Sequence, residues 1–127
     1  RRYVEHRVVA GVDFLRKRGI RIVRGEWGVE IDHSFYISKP SGTCALGGML
    51  IVERARKLID RGYAETAAFT LGIPLICVES FQLGYDHYSR FTGLEYNHAD
   101  LVMVELGRRI AQYVIDIQGS LPDVTLV

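Results

Sequence analysis

Residues 72–86 have the sequence GIPLICVESFQLGYD, and the interpretation of the rest of the chain starts from this stretch. Gly72 is typical of a helix end, and Pro74 suits the first turn of the next helix. Apolar side chains then recur at roughly helical spacing, at Leu75, Ile76, Val78 and Phe81. Glu79 is the one charged residue before position 86. A helix over 74–83 is therefore predicted to be buried on most sides and to form the centre of the core.

Helical spacing of apolar residues also predicts four helices outside this segment. They span about 2–18, 42–59, 64–71 and 98–117. The last is predicted to have Asn97 as its N-cap, with Asp100 three residues later as in a capping box.

The segments between these helices carry turn residues and short alternating patterns. Alternation near 20–32 predicts a small β-hairpin, whereas 33–42 and the aromatic-rich stretch 84–96 are predicted to be irregular. The tail at 124–127 is expected to add an edge strand. With 127 residues, 48% of them hydrophobic and 24% charged, the composition is that of one globular domain. We therefore predict a mainly α, compact single domain over 1–127, with the small hairpin near 20–32.

The cysteines and the lengths of the uncharged runs indicate in which cellular compartment the protein is expected. The longest uncharged runs, 40–52 and 66–78, are shorter than the roughly 20 residues that cross a bilayer, so we expect a soluble protein without membrane contact. Cys44 and Cys77 lie in apolar runs without disulfide spacing. Both are therefore predicted to be buried, reduced thiols, and the protein to be cytoplasmic.

The formal charge of +1 conceals an asymmetry along the chain. Residues 1–24 carry eight basic and two acidic side chains, a net +6, and the remaining 103 residues are −5. Such a split favours contact between the basic N-terminal helix and nucleic acid as a weaker alternative. Because Arg16–Arg18 sit where a helix is predicted to end, complementing its dipole is the simpler role, and no nucleic-acid motif occurs. Nucleic acid is therefore not an expected partner.

Cys44 is the strongest candidate for chemistry. It lies in the first turn of a predicted helix, where backbone amides favour a thiolate. With a base such as His33, His87 or His98, it would be a nucleophile. The alternative, which we favour, is a thiol that packs beside small residues, at Gly47 and Gly48.

This stretch is locally similar to transglutaminase-like and other papain-like cysteine enzymes. In these, the nucleophilic Cys opens a helix, and a Leu-Gly-Ile-Pro-type turn precedes a later His. The matching residues are Gly42, Cys44, 71–74 and His87. The resemblance implies a cysteine-dependent hydrolase or acyltransferase. The chain departs from the pattern because 44–71 is longer than one helix and no His-Ala-Trp-like segment follows.

Histidine and carboxylate side chains are adjacent at three places, Asp32-His33, Asp86-His87 and His98 with Asp100. Metal sites use such groups. Helical His-x-x-x-His spacing and a supporting cysteine pattern are both missing, so neither a metal nor a cofactor is predicted.

An aromatic segment after Phe81 is the best candidate for a ligand or partner surface. Tyrosines combine apolar area with a polar tip, which suits such surfaces. The candidate residues are Tyr85, Asp86, His87, Tyr88, Arg90, Phe91 and Tyr96. The alternative is that these side chains tether a long loop to the core. Phe81 is predicted to lie in the core, and Tyr85 and Tyr88 to be partly accessible.

The C-terminal helix, 98–117, carries an apolar stripe wider than one core contact requires. We therefore expect a homodimer through this helix, with an interface of more than roughly 1,000 Å² in total. Small residues four positions apart, as at Gly107 and Ala111, favour close helix packing. This packing is more simply interpreted as a contact within the chain than as one between subunits.

Several short motifs together resemble small uncharacterised bacterial and phage-borne proteins. The motifs are Trp27, the triplet 30–32, the Cys-x-Leu-Gly of 44–47, the Leu-Gly of 71–72 and the Gly-Tyr-Asp of 84–86. The resemblance implies a helical fold and a mobile-element accessory setting, and no activity. We expect a noncatalytic binding or interaction module for a small molecule or protein, with the Cys44 enzyme as the alternative.

Overall fold

The computed structural model describes residues 2–31, 35–37, 42–55, 61–88 and 98–123. These residues contain five helices, α1 to α5, which are Arg2–Lys17, Ala45–Val52, Tyr63–Leu71, Leu75–Asp86 and Leu101–Gln118. Among the described residues, β1 at Val29–Ile31 pairs antiparallel with β2 at Phe35–Ile37 to form a two-stranded sheet. The protein is mainly α, as predicted.

Two close helix crossings organise the core. Where α4 crosses α5, a side chain at Gly84 would collide with the carbonyl oxygen of Val104, and one at Gly107 with that of Phe81. Where α1 crosses α2, a Cβ at Gly48 would lie 2.7 Å from the carbonyl oxygen of Gly11. The helices therefore pack backbone against backbone.

The apolar faces of the helices fill the space around these crossings. Val8, Val12 and Leu15 of α1 are completely buried. Helix α5 buries Met103 and five residues of its predicted stripe, Val104, Leu106, Ile110, Ala111 and Val114. Arg7 holds three helices together: its guanidinium pairs with Glu53, just after α2, and donates to the carbonyl oxygen of Thr70 at 2.8 Å.

An extended segment at 20–28 crosses this core. Ile22 forms an isolated parallel bridge with Thr43, and Arg24 forms one with Asp123. The side-chain amide of Gln118 binds both the N–H and the carbonyl oxygen of Ile22, each at 2.8 Å. The segment thus connects the beginning of α2 to the end of α5. The paired strands are Val29–Ile31 and Phe35–Ile37. Because β2 falls within 33–42, the prediction that this segment is irregular is wrong for the residues of β2.

Three predicted boundaries need correction. The second helix ends at Val52 rather than 59, because Arg54 adopts φ 50° and the chain turns there. The helix after Pro74 continues to Asp86, so 84–86 is not irregular: Gly84 admits α5 instead of ending the helix. Asp100, rather than Asn97, caps α5 by accepting from the N–H of Val102 at 3.0 Å. Residues 89–97, including Asn97, and 124–127 lie outside the described residues.

The helix α4 is also less enclosed than predicted. Val78 and Phe81 are 1% and 2% exposed, but Leu75 and Ile76 are 39% and 45% exposed. Its second half, packed against α5, is the part at the centre of the core.

No single helix in the described part of the chain is long and apolar enough to span a membrane. The pair α3 and α4 passes that test of length and composition only when taken together, with a bend of 113° between the two helices.

Candidate functional site

A cavity of about 130 Å³ lies between the segment 25–27, the beginning of α2 and the second half of α4. We call it the Cys44 cavity. It is lined by Gly25, Glu26, Trp27, Cys44, Leu46, Phe81, Gln82, Tyr85 and Asp86.

The wall formed by 25–27 is fixed to α2 by backbone contacts. The N–H of Cys44 donates to the carbonyl oxygen of Glu26 at 3.1 Å. Gly47 has no side chain where the carbonyl oxygen of Trp27 lies against α2, and a Cβ there would collide with it. The indole of Trp27 stacks on the ring of Tyr63 with centroids 5.4 Å apart. Trp27 is thereby held at the rim of the cavity.

Cys44 is the N-cap of α2, directly before Ala45, and so lies close to its predicted place in the first turn. Its Sγ accepts a hydrogen bond from the N–H of Gly47 at 3.3 Å. The side chain is nevertheless buried, and burial raises the pKa of the thiol to about 12, with the charge of Asp86 acting in the same direction. Desolvation outweighs the helix N-terminus here, so the thiol is protonated at neutral pH.

Tyr85 is buried, and its predicted partial accessibility is wrong. Its ring stacks near Phe81 with centroids 6.0 Å apart, and its hydroxyl donates to the carbonyl oxygen of Val23 at 2.8 Å. Burial raises the pKa of this phenol well above its ordinary value. Because α4 continues past Gly84, Tyr85 points into the core instead of outward from a loop.

Asp86 ends α4 at the cavity wall. Burial raises the pKa of its carboxyl above the ordinary value, and a hydrogen bond from the backbone of Gly25 opposes that shift. The guanidinium of Arg24 donates to the carbonyl oxygen of Asp86 at 2.7 Å and lies over the ring of Tyr88, 5.4 Å from its centroid. Arg24 therefore fixes the C-terminal end of α4.

The structure brings together only part of the predicted site. Cys44, Tyr85 and Asp86 line the cavity, whereas Tyr88 is half-buried beside it, as predicted. His87, the C-cap of α4, and His98, ahead of α5, are both exposed and are not among the described residues that line the cavity. His33, Arg90, Phe91 and Tyr96 lie outside the described residues.

Cys77 differs from its prediction. It is half-buried rather than buried, because it lies in the first turn of α4, which is partly uncovered. Its thiol donates to Oδ2 of Asp100 at 3.5 Å, and neither cysteine forms a disulfide. Cys44 is buried, as predicted.

Within the described part of the chain, no group of three or more His, Cys, Asp or Glu side chains is placed to hold a metal ion. The carboxyl groups of Glu26 and Asp86 in the Cys44 cavity do not form such a group.

Sequence reasoning missed Glu26, Trp27 and Gln82 as cavity residues. Trp27 appears in the sequence analysis only as part of a resemblance. The contact between 25–27 and α4 joins segments that are distant in the sequence, so the local pattern of apolar residues does not predict it. Comparisons with family models, with curated proteins and with solved structures give no match for this chain.

Proposed function

We propose that the protein is a noncatalytic binding module that takes a small molecule into the Cys44 cavity. The observation that carries the proposal is the lining itself. It includes the aromatic residues Trp27 and Phe81 together with Gln82 and the acidic residues Glu26 and Asp86. A few convergent polar groups on an apolar wall are typical of small-molecule sites.

The volume bounds the size of the ligand. A cavity of roughly 150 Å³ holds benzene. The Cys44 cavity, at about 130 Å³, therefore suits a molecule of about six heavy atoms, or the end of a larger one.

The charge of the lining bounds the ligand's chemistry. Glu26 and Asp86 contribute carboxyl groups, and no Lys, Arg or His is among the described residues that line the cavity. An anionic ligand would meet like charge. A small amine, or a neutral hydrogen-bond donor with an apolar face, fits this lining better.

The state of Cys44 supports binding over catalysis. With a thiol pKa of about 12, about one thiol in 10⁵ is ionised at pH 7. A nucleophilic cysteine needs a neighbouring base, and neither His87 nor His98 lines the cavity. The hydrolase or acyltransferase alternative has no supporting contact in the described residues.

The experiment is a titration with matched cyclic amines and cyclic carboxylic acids of about five to eight heavy atoms. Trp27 is the only tryptophan of the chain, so its fluorescence reports directly from the rim. We expect the amines to change this fluorescence saturably and the acids not to. Gln82 is half-buried in the cavity wall, and the larger side chain of Gln82→Phe should fill the cavity. The fluorescence change caused by the amines should therefore disappear in this variant. Leu83→Phe, the neighbouring half-buried position outside the lining, is the matched control.

Assembly through the C-terminal helix stays a prediction. Most of the apolar stripe of α5 is buried within the chain, which leaves Leu101 and Val102 exposed at its beginning, 58% and 54%. A homodimer would therefore use the first turn of α5 rather than its middle. Light scattering at micromolar concentration tests it, and a clean monomer mass that Leu101→Glu does not change would contradict it. A cytoplasmic, mobile-element accessory role is likewise proposed from the sequence alone.

A further inference from the structure

Contrary to the expectation from the sequence, we infer that the C-terminal end of α1 binds the phosphate backbone of nucleic acid. Four exposed cations lie within six positions there, Arg16, Lys17, Arg18 and Arg21. We call them the basic end of α1. The inference is independent of the Cys44 cavity, which involves none of these residues.

Two open grooves meet at the basic end. One, of about 370 Å³, is lined by Arg16, Gly19, Ile20, Arg21 and Gln118. The other, of about 340 Å³, is lined by Asp13, Arg16, Lys17, Tyr113 and Ile117. Because Arg16 belongs to both, they form neighbouring parts of one basic surface.

The backbone beneath this surface is held in place. The N–H of Gly19 donates to the carbonyl oxygen of Arg16, and that of Ile20 to Leu15, each at 3.0 Å. Gln118 holds Ile22, next to Arg21, through two hydrogen bonds. The cations are thus carried on an ordered turn rather than on a loose end.

The cations of the basic end also lack ion-pair partners among the described residues. Several cations elsewhere pair with acids, as Arg7 does with Glu53, Arg24 with Asp123 and Arg109 with Glu5. None of the four at the basic end forms an ion pair with a described residue; Arg18 lies over the ring of Phe14, 4.9 Å from its centroid.

Among the described residues that line the two grooves, Asp13 is the one acidic side chain. Asp13 accepts from the hydroxyl of Tyr113 at 2.6 Å, and Asp116 accepts from the side-chain amide of Gln112 at 2.9 Å. The four cations outnumber the one acidic side chain that lines the grooves, so the surface keeps a net positive charge for an outside polyanion.

A nucleic acid fits this surface better than a single anion or a membrane. The end of a helix dipole opposes one isolated phosphate at a C-terminus, whereas a polymer contacts several cations at once. A membrane surface would also need apolar anchors. The large exposed apolar side chains of the described residues lie elsewhere, at Tyr3, Val52, Phe69, Leu75, Ile76, Leu101 and Val102.

The test is fluorescence anisotropy with a labelled 20-nucleotide single strand and a 20-base-pair duplex, from 50 to 200 mM salt. If all four cations contact phosphates, log K should fall against log salt with a slope of about −2.8 for the single strand and −3.6 for the duplex. Arg16→Gln with Arg21→Gln should reduce the slope by about 1.4 to 1.8 and weaken binding about 25- to 60-fold at 0.1 M salt.

The matched control is Arg108→Gln with Arg109→Gln, which removes the same charge from the exposed face of α5. It should retain nearly wild-type binding, and circular dichroism should show both variants folded. Equal losses in the two double variants would overturn the assignment to this surface. So would no binding by the wild type at 50 mM salt. Equal affinity for polyglutamate, or binding only to vesicles containing phosphatidylserine, would overturn the assignment to nucleic acid.

Discussion

The Cys44 cavity and the basic end of α1 place ionisable groups in opposite settings. In the cavity, burial raises the pKa of the Cys44 thiol and of the Asp86 carboxyl, so both groups are shifted toward the neutral form. At the basic end, the four cationic side chains are exposed and lack ion-pair partners among the described residues. Binding in the cavity should therefore depend on ligand size and pH, and binding at the basic end on salt concentration.

The largest expected effect concerns the buried wall of the cavity. Phe81 is 2% exposed, so Phe81→Ala should lower the free energy of unfolding by about 3 to 5 kcal/mol. Phe69→Ala is the matched control, since that ring is 66% exposed, and it should cost less than about 1 kcal/mol. Urea unfolding measures both. A loss below 1 kcal/mol at Phe81 would mean that α4 does not form this wall.

The reactivity of Cys44 comes next. Because its thiol pKa rises from 9.0 to about 12, labelling by a thiol reagent near pH 8 should be about 10³-fold slower than for an unperturbed thiol. Cys44→Ser and Cys77→Ser separate the two sites, and the half-buried Cys77 should react first. Fast stoichiometric labelling of Cys44 near neutral pH would instead favour the cysteine enzyme.

The next prediction concerns the pH dependence of stability that the buried Asp86 produces. The pKa of Asp86 is raised in the folded state above the ordinary 3.8, so ionisation costs folded-state stability above the folded pKa. That cost disappears as the pH falls below 3.8. Relative to Asp86→Asn, the wild type should therefore gain stability from pH 7 to pH 3.5 in urea unfolding. A relative loss over the same range would show that the carboxylate is stabilised instead.

The smallest effect concerns Thr43, beside the cavity cysteine. Its Oγ1 is buried and has no hydrogen-bond partner within the described ranges. Thr43→Val should therefore be neutral or stabilising by up to about 1 kcal/mol. Thr66→Val is the control, because the Thr66 hydroxyl donates to the carbonyl oxygen of Gly62 at 2.9 Å, and it should destabilise by about 1 kcal/mol. Equal losses in thermal unfolding would indicate a partner for Thr43.

Local patterns predicted those parts of the fold that local physics controls. The 3.6-residue spacing predicts each of the five helices of the described residues, and Gly72 and Gly119 end α3 and α5 in the left-handed conformation that glycine favours. Cys44 was correctly placed at the beginning of a helix.

Contacts between distant segments explain what the patterns missed. The pattern predicts that the helix ends before Gly84, but in the fold Gly84 lies within α4 and makes room for the backbone of α5. The apolar run of α4 could not show that Leu75 and Ile76 stay uncovered while Tyr85 is buried. The cavity depends on 25–27 meeting α2 and α4, and no periodicity encodes that meeting.

Occupation of the Cys44 cavity by a small molecule is tested by a two-dimensional NMR titration that follows the indole N–H of Trp27 while a small cyclic amine is added. We predict a saturable shift of this resonance and of the amides of Cys44 and Asp86, with no shift in Gln82→Phe. Shifts confined to other surfaces, or an unchanged titration in Gln82→Phe, would contradict it.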